Sequence, residues 1–160
     1  MDDKRVQSEV EKHMQALVER WEQASNQQAV FLRCYWMMTE NMLTAIKAGE
    51  FFDDDWVDNL LHHFASYYFV AQETYELDPS SAPPVWRIAF DTTRNSSALV
   101  LQHLLLGVNA HITYDLVLTL VDILTPEWAT LSEDQRQQRY SDHSRVNTII
   151  GRTIDAVQDR

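Results

Sequence analysis

A chain of 160 residues that is 45% hydrophobic, with five Trp, six Tyr and six Phe, has the apolar mass to close one core and carries no signature of disorder. Acidic residues outnumber Lys and Arg by 24 to 13, a formal charge of −11 with His neutral; such a surface repels phosphate backbones, so no nucleic-acid partner is expected. Three Gly and four Pro argue against a turn-rich β architecture, and the lone Cys34 excludes an internal disulfide and fits a reducing, cytoplasmic setting. The expectation is a single all-α domain over residues 1–160, a bundle of about five or six helices around a central apolar helix at about 96–125.

The opening residues, MDDKRVQSEVEK, are polar and lack the apolar core of a signal peptide. The first predicted helix covers about residues 3–25, with Val6, Val10, His13 or Met14, Leu17 and Trp21 on one stripe. After a polar break at Asn26, the second covers about 29–48, with Phe31, Tyr35, Met38, Met42 and Ile46 inward and Gly49 placed to end it. Asp53 to Asp55 read as an N-terminal cap for a third helix at 54–76, whose apolar face is Trp56, Leu60, Phe64, Tyr67 or Tyr68, and Ala71. LDPSSAPP, residues 77–84, is a loop rich in turn formers. A short helix follows from about 83 to 91. The central helix is capped at Asn95, Ser96 or Ser97 and stopped by Thr125-Pro126. Ser132 with Gln135 is a capping signature for the last helix, whose inner stripe is Tyr140, His143, Val146 or Asn147, Ile150, Ile154 and Val157.

The central segment is uncharged from residue 95 to 114, long enough to raise a membrane span as a question. Gln102, His103, Asn109 and His111 within it, and Asp115 just after it, would be costly in lipid. A buried helix, and no membrane partner, is expected instead.

At about 100° per residue, His111 and Asp115 lie one turn apart on one stripe, preceded by Gly107 and His103 and continued by Asp122. Such a pair can share a divalent ion such as zinc, or the carboxylate can orient the imidazole as a general base. Two metal ligands on one helix are too few; a third would come from His63, Tyr67, Glu40, Asp142 or His143, and spacing does not choose among them. Asn109, two residues from His111, lies nearly opposite on the wheel. His103 reads as a core-edge residue, and Gly107 as a site of close helix packing.

QHLLLGVNAHITYDLVLTLV is similar to the signature of a bacterial family, the domain-of-unknown-function 5995 family, whose members carry a closely similar G-x-N-A-H-I-x-x-D-L run in a helix. The matching positions are Gln102, Gly107, Asn109, Ala110, His111, Ile112, Asp115 and Leu116. Tyr35 and Thr39, the FASYYF run at 64–69, the APPVW run at 82–86 with Phe90, and Asp142 with Val146 and Asn147 extend the resemblance over most of the chain. Ser66 stands where Asn is common in the family, and His63 and His103 where apolar or aromatic residues are usual. The resemblance implies His111, Asp115, Asn109 and Asp142 as shared candidates and brings no activity with it.

Two functional expectations follow. In one, the protein is a small enzyme, a hydrolase or proton-transfer catalyst. His111 acts as base or metal ligand, Asp115 as its orienter or co-ligand, and Asp142 as a third group. A small, partly apolar molecule is held by Tyr35, Phe64, Tyr68, Trp86 and Asn109. In the other, Asn109, His111 and Asp115 form a buried structural network in a binding or homodimerising module.

Overall fold

The computed structural model describes residues 8–158, with side chains described through residue 153. Val6 lies outside the described residues, and so do the side chains of Ile154 and Val157. Every regular element described is helical, and the chain forms a single all-α domain.

Helix α1 (Glu9–Gln23) starts on a reciprocal cap: Glu11 N–H donates to Ser8 Oγ at 3.2 Å, and Ser8 N–H donates to Glu11 Oε2 at 2.8 Å. Its buried stripe of Met14, Leu17, Val18 and Trp21 packs on α2 (Gln28–Lys47), which ends at Gly49 in the left-handed region (φ 69°). Helix α3 (Asp54–Leu77) is capped as expected, with Trp56 N–H donating to Asp53 Oδ1 at 2.9 Å. The loop at 77–84 holds one 3₁₀ turn, Pro79–Ser81, before the short α4 (Pro84–Thr93).

The central segment is one 25-residue run in three parts: α5 (Val100–Ala110), a π-helical turn (His111–Asp115) and α6 (Leu116–Leu124). It starts later than the sequence suggests. Asn95 Oδ1 accepts from Ser97 N–H within the preceding loop, while Gln102 Oε1 takes the Leu99 N–H at 2.8 Å. The final helix, α7 (Glu133–Gln158), opens on the expected Ser132–Gln135 cap.

Two clusters make the core. One gathers α1, the first half of α2, the second half of α3 and α4 around Phe31, Tyr35, Tyr68 and Trp86. The other joins the far end of α2 and the start of α3 to Ile149, with Leu120, Ile123, Leu124 and Val146 packed against it. The α5–α6 run spans both, yet it is not buried on all sides as its composition suggests. Leu101, Leu105, Val117 and Val121 are 52–60% exposed. Its inner face, by contrast, buries His103, Gly107, Ala110, His111, Asp115 and Thr119. The helix is long and apolar enough to cross a membrane by length and composition alone. On α7 the inward positions are Asp142, Ile149 and Thr153, whereas Tyr140 is exposed, so the inner stripe is rotated from the expected one.

Candidate functional site

Gly107 sets the geometry around it. A Cβ at this position would stand 2.5 Å from Phe31 Cγ, so only glycine lets the Phe31 ring lie against α5. Phe31 in turn packs near His111, their ring centroids 5.6 Å apart. The expectation of close helix packing at Gly107 is met.

Immediately beyond, the helix widens. Leu116 N–H donates to the carbonyl of His111, five residues back, and the Thr113 hydroxyl donates to the Asn109 carbonyl at 2.6 Å. Threonine bonding back into a helix loosens its ladder, and isolated π turns recur at functional positions. A turn of more than four residues brings side chains four apart closer to superposition than an α-turn does. His111 Nδ1–H accordingly donates to Asp115 Oδ2 at 2.8 Å. The carboxylate can only accept, which leaves the lone pair on Nε2.

Asp115 has no exposed surface. From α4, Trp86 Nε1–H reaches both of its oxygens at 3.0 Å. A buried carboxylate is costly without donors, and three hydrogen bonds from His111 and Trp86 supply them. Phe64 stacks on the imidazole with centroids 3.6 Å apart and planes 12° from parallel, and Tyr35 meets its edge at 4.2 Å. Burial in this aromatic cage pushes the His111 pKa below its usual 6.5, against the upward pull of Asp115. Burial also keeps the Tyr35 hydroxyl protonated far beyond the ordinary phenol range, with the charge of Asp115 acting in the same direction.

His111 Nε2 is buried and has no hydrogen-bond partner. His111 lies on the wall of a cavity of about 320 Å³ bounded by α2, α3, the α5–α6 run and α7. Tyr35 and Thr39 share that wall, and their hydroxyls are likewise buried without partners. The rest of the lining is almost wholly apolar, and among the described residues that form it none is charged. Large apolar cavities with a few convergent polar groups are the usual form of small-molecule sites.

The candidates from sequence therefore separate. His111, Asp115, Tyr35, Phe64 and Trp86 come together, with Trp86 holding Asp115 rather than lining the cavity. Tyr68 stands behind, 6.1 Å from the imidazole by ring centroids. Asn109 is exposed on the far side of the helix, as the wheel indicates. Asp142 is placed elsewhere: its two oxygens accept the Phe52 and Asp53 N–H groups at 2.7 and 3.0 Å, tying α7 to the turn before α3. Its role there is to fasten backbone, and it is not on the cavity wall. His63 and the Tyr67 hydroxyl instead both bind Asp122 at the surface, linking α3 to α6.

A divalent ion fits this arrangement poorly. His111 Nδ1 and Asp115 Oδ2 are spent on each other, and both Asp115 oxygens also receive the indole N–H. Among the described residues no three His, Cys, Asp or Glu side chains group as a metal-binding set.

Sequence reasoning missed Thr39 as a chemical group and missed the leucines of α5 (Leu101, Leu104, Leu105) as cavity wall. A helix apolar on more than one face was the available signal: one face serves the core and another can line a cleft.

The fold and this constellation define an all-α bundle with a Trp–Asp–His chain at the wall of an apolar cavity. The chain belongs to the family whose model matches residues 7–160, a family of unknown function (DUF5995). No curated protein and no solved structure gives a significant match.

Proposed function

We propose that this protein is a cytoplasmic enzyme that takes a small, largely apolar molecule into the cavity and uses His111 as a general base. The observation that carries this is the pairing of an oriented Nδ1, held by Asp115, with a buried and unmatched Nε2, on a residue that lines the cavity. Neutral imidazole is the form that can take a proton, and burial favours it. Asp115 would stabilise the imidazolium formed when Nε2 removes a proton from water or from a bound hydroxyl, while Trp86 keeps the carboxylate in place. Base-assisted hydrolysis is the simplest reaction of this kind.

The test is release of p-nitrophenolate from p-nitrophenyl octanoate by the wild type, His111→Gln and Asp115→Asn. Turnover above buffer rate in the wild type, lost in both variants, is the expected result. Identical rates in all three proteins would remove the base and leave a binding cavity.

The exposed leucines and valines of the α5–α6 run favour a second reading, self-association of two copies through that stripe. Sedimentation equilibrium tests it: a single 160-residue species at every concentration would reject it. The charge of −11 speaks against anionic membranes and nucleic acid as partners.

A further inference from the structure

The cavity wall extends over several helical turns. Along α2 it runs from Phe31 to Met42, and along α3 from Val57 to Phe64. At 1.5 Å per residue these stretches are about 16 and about 10 Å long. His111, Tyr35 and Phe64 pack together on this wall, with Leu101 and Leu116 lining it to either side of His111 along the central run, and Met42 and Val57 belong to the second core cluster. Thr39 sits one turn along α2 from Tyr35, on the same wall.

From this we infer that the ligand is an uncharged, single-chain aliphatic molecule of about a dozen non-hydrogen atoms, scaled from the roughly 150 Å³ cavity that holds benzene, with an uncharged oxygen-bearing head seated among His111, Tyr35 and Thr39. The inference rests on the ligand-binding part of the function proposed above and adds its substrate class.

Charge decides the head group. No described lining residue carries a fixed charge, so a carboxylate would be buried with no cation but a protonated His111, a form that burial disfavours, and an ammonium without a free carboxylate, Asp115 being already engaged. Either is far costlier to bury than a neutral oxygen. A hydroxyl can donate to Nε2 and accept from the Tyr35 hydroxyl; an ester carbonyl can accept from Tyr35 and Thr39. Both would satisfy polar atoms that otherwise have no partner. The acidic surface adds to the discrimination against anions approaching from solvent.

The experiment uses the full chain and the neutral dye N-phenyl-1-naphthylamine, displaced at pH 7.5 by 1-decanol, methyl nonanoate, decanoate or decylammonium. Dye fluorescence should rise on binding, and at least one of the two neutral chains should displace it at a concentration ten-fold or more below either ion. Tyr35→Phe, which keeps the ring, should weaken 1-decanol about 3- to 10-fold relative to the dye, the range of one hydrogen bond. Thr39→Val gives the same reading for the ester. Failure of the dye and of all four chains to bind would sink the cavity itself as a ligand site. Dye binding with decanoate or decylammonium displacing as well as the neutral chains would overturn the substrate class while leaving the cavity standing.

Discussion

Trp86 and Asp115, 29 residues apart in sequence, are joined by an indole N–H that reaches both carboxylate oxygens at 3.0 Å, with both residues fully buried. This bond couples α4 to the π turn and sets where the carboxylate stands, and hence which way His111 faces. Trp86→Phe keeps the aromatic packing on Phe90 (centroids 5.1 Å apart) and deletes the donor. Removing a hydrogen bond to a buried charged group is expected to cost about 2–3 kcal/mol. Urea denaturation would measure it, and a loss below about 0.5 kcal/mol would show that Asp115 does not depend on the indole.

Asp115→Asn tests the tautomer. An amide nitrogen facing Nδ1 would donate to it, and the imidazole proton would move to Nε2, removing the lone pair there. Nitrogen NMR of labelled histidine should report the Nε2–H form in the variant and the Nδ1–H form in the wild type. By analogy with other oriented imidazoles, any base-dependent rate should fall by at least about 10². An unchanged tautomer would mean that Asp115 does not set it.

Gly107→Ala places a methyl group where the Phe31 ring lies, with 2.5 Å between them. Overpacking of this kind is expected to cost about 1–3 kcal/mol. The effect should be felt at the site too, since Phe31 borders both the cavity and His111. Thermal unfolding combined with dye binding measures both, and a variant as stable as the wild type with full binding would show that α2 can move away freely.

Stability should depend on pH through His111. Its pKa is below 6.5 in the folded protein because burial disfavours the imidazolium, and near 6.5 when unfolded. The unfolded chain therefore binds more protons as pH falls through this range, and stability, complete above about 6.5, declines toward lower pH. Half-buried His143 shifts in the same direction by desolvation and adds to the slope. One group contributes at most about 1.4 kcal/mol per pH unit. Guanidinium titrations between pH 7.5 and 5 on the wild type and His111→Gln check it: the variant should show the shallower dependence, and equal slopes would place the effect elsewhere.

Local chemistry made much of this protein readable from its residues in order. The Asp53 cap, the Gly49 stop, the Ser132–Gln135 box and the i, i+4 relation of His111 to Asp115 all operate within a few residues, so spacing alone specifies them. Asn109 facing away from His111 follows from the same helical period. What lies between helices could not be reached that way. That Trp86 completes the carboxylate's bonds, that Asp142 fastens the backbone at Phe52 and Asp53 instead of joining the site, and that the apolar central run exposes one face all depend on how helices far apart in the chain dock. Hydrophobic burial has magnitude without direction; it draws these helices together, but only side-chain packing decides which faces meet and where a gap of about 320 Å³ is left with His111 on its wall.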